Sequence, residues 1–271
     1  MDSIKTLKQD LAANRIDRRT FMAAATAMGV GVVAATSLAD SAKAATPKKG
    51  GHLRIGTAEG STSDNLDPAP DSSAFITMLS STYLSQLTEV DANGALQPQL
   101  AESFEPNSTA TQWVFKLKKG IEFHNGKSLV ADDVVATINH HRGEDSTSSL
   151  KAFANQVKDI RADGDHTVII DLVEGNADYP FVLSTGAFSI VPSKDGKAVP
   201  DGGIGTGAYM LDDIELGVRA TLKRNPNFYN DKVGHFDSAD LLIHVDPTHR
   251  QSDPCCHELD LICNRELMTR S

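Results

Sequence analysis

Cysteine is nearly missing from this chain. Its 271 residues include 3 cysteines, Cys255, Cys256 and Cys263, all close to the C-terminal end. Residues 45–254 therefore hold no pair to cross-link, a disulfide scaffold is excluded, and a hydrophobic core has to hold the fold. Positive charge is scarce too: 26 basic against 36 acidic residues leave a formal charge of −10, the wrong sign for a nucleic-acid partner. A nucleotide fingerprint is also lacking. Gly203-Ile204-Gly205-Thr206-Gly207-Ala208 is too closely spaced and has no helix after it. The one long uncharged run, residues 21–39, is diluted by Ala, Gly and Thr and is too weakly apolar to span a membrane. What remains is a 40% hydrophobic chain, long enough for one large or two small domains.

The N-terminus reads as an address. Lys5, Lys8 and Arg15 lead to Asp17-Arg18-Arg19-Thr20-Phe21-Met22, where Arg18 and Arg19 form a twin-arginine pattern ahead of the uncharged run. The run ends at Ala42-Lys43-Ala44, an A-x-A cleavage site. We expect residues 1–44 to be a twin-arginine signal peptide, with the Tat translocon as partner during export and the periplasm as destination. No cysteine follows the run, which argues against a lipid-anchored mature end.

Residues 45–251 read as mixed α/β. His52-Leu53-Arg54-Ile55-Gly56 is a short strand. From Ser72 the four-residue recurrence of Phe75, Leu79, Tyr83 and Leu87 predicts an amphipathic helix. Asn93-Gly94, between Thr88-Glu89-Val90 and Ala95-Leu96, suits a type I′ hairpin, in which both turn residues have positive φ. Trp113, Phe115 and Leu117 alternate with Val114 and Lys116, as on a strand with one buried face. A helix after Ala131 carries Val134, Val135 and Ile138 on one side. Further strands are expected over residues 166–173, 218–222 and 241–245, and Lys194-Asp195-Gly196-Lys197 reads as an exposed turn.

The segment from Trp113 through Lys118-Lys119-Gly120, Phe123-His124-Asn125-Gly126-Lys127 and Asp132-Asp133 to Val135 resembles the signature block of family-five extracellular solute-binding proteins. These serve peptide and nickel importers. Other landmarks follow in family order. They are Lys49-Gly50-Gly51-His52-Leu53-Arg54-Ile55-Gly56, Leu66-Asp67-Pro68, the stretch from Leu96-Gln97-Pro98 to Ala101-Glu102-Ser103, Gly205-Thr206-Gly207-Ala208-Tyr209, and Arg224-Asn225-Pro226-Asn227-Phe228-Tyr229. The resemblance implies a periplasmic-binding-protein type II-like clamshell, here mostly its first lobe. It implies a binding protein rather than an enzyme, taking a small peptide or similar solute to an inner-membrane ABC permease, with no cofactor and no metal. It also places ligand contacts just after the first strand, in Ala58-Glu59-Gly60-Ser61. Glu59 would meet a ligand amine and Ser61 a backbone group, although both also suit a solvated loop. Phe188 is a second ligand-contact candidate. Trp113 and Phe123 read as core, and Asp132 and Asp133 as a helix start rather than an acid/base pair. Val130 stands where the family usually has Thr, so a hydroxyl cap is lost. Adjacent His140 and His141 point about 100° apart on a helix and cannot share one ion, so they read as surface residues.

The end of the chain breaks the pattern. Asp246-Pro247 looks like a helix start, but Ser252-Asp253-Pro254-Cys255-Cys256-His257 interrupts it, and proline inside a helix costs about 3 kcal/mol. A metal site from Cys255, Cys256, His257 and Cys263 lacks zinc-type spacing. Residues 252–271 read instead as an aberrant, frame-disturbed tail, because Glu258-Leu259-Asp260-Leu261-Ile262 resumes a family-like pattern. On this reading the chain is C-terminally truncated, an incomplete clamshell expected to fold poorly or bind weakly. Two rival readings are a non-functional remnant and a twin-arginine-exported redox enzyme; the missing cofactor motifs speak against the latter.

Overall fold

A computed structural model describes residues 2–12, 15–28, 30, 49–70, 72–243 and 261–263. Two compact units result, Met1–Gly50 and Gly51–Ser271. In the first, helices α1 (Asp2–Ala12) and α2 (Arg18–Ala27) bury Leu11, Phe21 and Ala25. Helix α2 starts at Arg18 because the Asp17 carboxylate accepts the Thr20 amide at 2.7 Å, satisfying one free N–H of the first turn. Arg18 and Arg19 are exposed on that turn. No helix among the described residues is long and apolar enough to cross a membrane. Ala42 and Ala44 lie outside the described residues.

The second unit opens with strand β1 (His52–Thr57), then helix α3 (Ala74–Tyr83) and the ribbon β2 (Thr88–Val90) with β3 (Leu96–Pro98). Next come β4 (Ala101–Pro106), β5 (Gln112–Leu117), helix α4 (Ala131–His140) and the short helix α5 (Lys151–Ala154). Strands β6 (Val157–Ala162) and β7 (Thr167–Leu172) precede the short helix α6 (Tyr179–Val182). A second ribbon pairs β8 (Ser193–Lys194) with β9 (Lys197–Ala198). Strands β10 (Tyr209–Glu215), β11 (Arg219–Arg224), β12 (Ser238–Ile243) and β13 (Leu261–Cys263) complete the order.

Among the described residues two larger sheets organise this unit. One is antiparallel, in the order β4-β5-β7-β6. Its middle strand β5 buries Trp113, Phe115 and Leu117, as the alternation requires, and Phe104 stacks on Phe115 with ring centroids 5.8 Å apart. The other is mixed, in the order β10-β11-β12-β1-β13, with β1 parallel to both neighbours. Helix α3 covers it: Phe75, Leu79 and Tyr83 pack with Ala220, Leu222, Ala239 and Leu241. The α/β expectation therefore holds.

Three local expectations need correction. Helix α3 is capped by the Ser73 hydroxyl and stops at Tyr83, because Leu84 is already extended (φ −103, ψ 165); Leu87 is buried in the segment beyond. Asn93-Gly94 does not form a type I′ turn, since only Gly94 has positive φ. Residues 91–95 make a longer loop, folded around the Asp91 carboxylate, which accepts the Asn93 amide at 2.8 Å and the Ala95 amide at 2.9 Å. The turn with two positive φ values is Asp195-Gly196, at 53° and 74°, in the exposed ribbon. Finally, His141 is no surface residue but is fully buried.

Helix α4 starts as the loss of the threonine cap implies. Val130 is the N-cap with an extended backbone, and its own amide donates to the Asp133 carboxylate at 3.1 Å. Half of the reciprocal capping arrangement is thus present, supplied from inside the helix. Restoring the other half with Val130→Thr is expected to raise stability by about 0.5–1 kcal/mol in urea unfolding. An unchanged midpoint would mean that the Asp133 bond already suffices.

Candidate functional site

In an open α/β sheet, ligands settle off the carboxyl ends of the strands. Here the parallel strands end side by side, with Thr57 paired to Ile243 on one flank and Cys263 on the other. The loop leaving β1 lies over that edge. Its backbone is anchored by the Phe75 amide donating to the Glu59 carbonyl at 3.1 Å, at the first turn of α3. Asp64 draws the loop together: its carboxylate accepts the Ser61 amide at 2.9 Å and the Ser73 hydroxyl at 2.6 Å. Ser61 in turn accepts the Ser63 amide at 3.1 Å. Gly60 permits the close approach, since a Cβ there would overlap the Ile243 side chain and stand 3.2 Å from the Phe75 Cβ. Glu59 and Ser61 are exposed and share this loop.

Phe188 does not join them. It is 1% exposed, sits in the core beside Ile190 and packs its ring 4.6 Å from that of His141. The structure gives Phe188 a packing place in the core, apart from the loop of Glu59 and Ser61. A cleft of about 820 Å³, lined by Glu89, Glu102, Lys118, Lys119, Tyr229 and Lys232 among others, includes neither Glu59 nor Ser61. Among the described residues no group of three His, Cys, Asp or Glu side chains could hold a metal ion. Cys255, Cys256 and His257 lie outside the described residues, while the backbone of Leu261–Cys263 forms β13.

Three polar arrangements elsewhere in this unit had no signal in the sequence beyond their residue types. Asp133 is wholly buried and accepts from Lys127 Nζ, from the Val130 amide and from both the amide and hydroxyl of Ser193, the last two at 2.7 Å. His124 holds the Gly205-Thr206-Gly207 segment, with Nδ1 accepting the Gly205 amide at 3.3 Å and Nε2 donating to the Gly207 carbonyl at 3.0 Å. Burial pushes the His124 imidazole below its usual value, against the opposing pull of the Gly207 carbonyl. Asp67, in the Leu66-Asp67-Pro68 landmark, lies 2.7 Å from His140 Nε2. Burial pushes the Asp67 carboxyl up, but the His140 hydrogen bond and the Ala69 amide outweigh it and hold the group below the ordinary range.

The whole arrangement offers a backbone-rich, exposed loop on a rigid sheet edge. Asp64, Ser73 and backbone groups hold the loop in shape.

Comparison with known proteins fits this geometry. Residues 95–254 match the middle region of the bacterial extracellular solute-binding proteins, family 5. Oligopeptide-binding protein AppA of Bacillus subtilis is 27% identical over 197 residues, covering 68% of this chain and 35% of AppA. Among solved structures, AgaA of A. tumefaciens R10, in complex with agropinic acid, superposes with a TM-score of 0.70 at 21% identity, over 78% of this chain and 43% of that one. DppA of Helicobacter pylori, in complex with the peptide STSA, gives 0.69 at 20% identity over 82% and 49%. The fold is thus that of the periplasmic binding proteins, and the chain spans about a third of the length of AppA and just under half of the solved relatives. The similarity runs through the signature segment, the antiparallel sheet and strands β10 to β12, and on it the chain belongs to family 5 of the bacterial extracellular solute-binding proteins.

Proposed function

We propose that the chain is the solute-capturing part of an ABC importer with peptide-type cargo, exported by the twin-arginine route to the periplasm and docking on an inner-membrane permease. The observation that carries this reading is family membership over residues 95–254, joined to a peptide-binding relative that aligns with 68% of the chain. The chemistry of the loop after β1 agrees with it. Glu59 offers a carboxylate to a ligand ammonium, and Ser61 a hydroxyl to a peptide group, from a backbone already fixed at both ends. A preorganised loop loses little entropy on binding, so its contacts count towards affinity. Capture is by closure of lobes around the solute, driven by tighter binding to the closed state.

Calorimetric titration with di- to pentapeptides tests the cargo. Peptides with a free amino terminus are expected to bind about tenfold or more tightly than N-acetylated counterparts, and Glu59→Gln to erase that preference, because a charge-assisted hydrogen bond contributes roughly 1.5–3 kcal/mol. Equal binding of acetylated and free peptides would remove Glu59 from the site. Binding of an opine, sugar or nickel complex with no response to peptides would replace the cargo class.

A further inference from the structure

The histidine pair at the end of α4 is unused by the ligand reading. His141 follows the last residue of the helix and is fully buried. Its Nδ1 lies 2.7 Å from the Ser148 hydroxyl, and its Nε2, also buried, has no hydrogen-bond partner. The Ser148 oxygen also accepts the Leu150 amide at 3.1 Å, which leaves it one lone pair and one hydrogen, so it can serve Nδ1 in either tautomer. The neutral ring can keep its proton at Nδ1, donated to Ser148, and leave the unpartnered Nε2 bare. A second proton would sit on Nε2, buried without an acceptor in a ring packed by Phe188.

We infer that His141 is an acid-released latch: protonating it expels residues 143–149 and, with them, frees the loop around Asp67 to Ala69. The mechanical link is short. Ser149, next to Ser148, donates its amide to the Ala69 carbonyl at 2.9 Å and its hydroxyl to the same oxygen at 3.4 Å. Ser146 ties the segment back to the His140 carbonyl at 3.1 Å. Of the titratable groups that act on His141, His140 is on its own helix and Asp67 comes from the loop. Ser148 and Phe188, on the other segments packed against it, carry no charge. Asp67, the carboxylate that acts on His141, is already engaged by His140, whose ring lies 5.9 Å from that of His141. Burial first, and the His140 charge second, hold the His141 imidazole down to about 4 from 6.5, against the pull of Asp67. A base lowered on folding stabilises the native state above its unfolded value. That stabilisation drains away as pH falls from about 6.5 towards 4. The latch is independent of the ligand reading, because it opens whether or not a peptide binds.

Amide hydrogen exchange on the 271-residue chain, corrected for intrinsic rates, reads the latch directly. Between about pH 7 and about pH 4.5, the amides of Ser148, Ser149 and Ala69 are expected to lose at least about tenfold in protection while Phe115 on β5 keeps its own. His141→Phe, which packs on Phe188 and cannot titrate, is expected to abolish the difference. Equal protection at both pH values, or the same loss in His141→Phe, overturns the inference. If that variant does not fold, an NMR titration of the wild-type histidines decides: a His141 midpoint near 4 supports the latch, and one near 6.5 overturns it.

Discussion

Asp133→Ala is expected to destabilise the Gly51–Ser271 unit by about 3–5 kcal/mol, the range for removing one partner of a buried ion pair. Few single substitutions in this chain should cost more. The carboxylate is inaccessible to water and takes four donors: Lys127 Nζ, the Val130 amide, and the Ser193 amide and hydroxyl. Those donors come from three places: the turn after Gly126, the start of α4, and the strand β8. Truncation to alanine strands two amides and the Ser193 hydroxyl in a site that water cannot easily reach, and unmade bonds of this kind cost more than made ones contribute. Asp133→Asn keeps the shape and one acceptor and should fall between alanine and wild type. Lys127→Met should cost only about 1–2 kcal/mol, because the Lys127 side chain is 36% exposed and the other three donors remain. Urea unfolding of Asp133→Ala, Lys127→Met and their double variant measures the coupling. A loss under about 1 kcal/mol for Asp133→Ala would sink the view that this carboxylate organises the signature segment.

Gly205→Ala should cost about 3 kcal/mol, at the top of the overpacking range. The segment runs so close to the end of α3 that a Cβ at Gly205 would overlap the Tyr83 carbonyl oxygen and stand 2.8 Å from its carbon and 2.9 Å from Leu84 Cδ2. Both carbonyl atoms belong to a helix end that cannot yield, because the Gly207 amide donates to that same Tyr83 oxygen at 2.9 Å. Moving the segment outward instead breaks its bonds to His124 and the bond of Asn225 to the Gly207 carbonyl at 3.1 Å. Gly186→Ala is the matched control: nothing stands within 4 Å of its Cβ position, and its melting should stay close to wild type. Should the two variants melt alike, the close approach at Gly205 is not a constraint on the fold.

How much of this could be read beforehand follows from which contacts are local. Strand β5 was legible because nothing interrupts its alternation, and Trp113, Phe115 and Leu117 bury as their spacing demands. Strands β4, β6 and β10 were not named. Each carries a register shift, between Ala101 and Ser103, Val157 and Asp159, and Leu211 and Asp213, and an extra residue throws the two-residue period out of step. Asn93-Gly94 misled because Asp91, two residues earlier, gave the loop a better set of hydrogen bonds. His141 looked like a surface residue because its burial comes from Phe188, far along the chain, and Phe188 looked available for the same reason in reverse. The candidate loop shows the same division. Glu59 and Ser61 could be picked out by position, but the packing of Gly60 on Ile243 and of Gly217 on Thr62 joins residues distant in sequence.

The pairing of β1 also fixes an order of assembly. His52 finds its partner Ser238 a full 186 residues later, whereas every strand of the antiparallel sheet has emerged by Leu172. On a chain made from its N-terminus, the strand that will sit between β12 and β13 must therefore wait with both edges bare while the neighbouring sheet has all its parts. Closing so long a loop is entropically slow, and an unpaired strand is open to the wrong neighbour in the meantime. The loop bearing Glu59 and Ser61 is held by Phe75, Asp64 and Ser73, and its packing against Ile243 is completed only in that last step. The packing of the candidate loop against the sheet is thus expected to be among the last contacts of this unit to form.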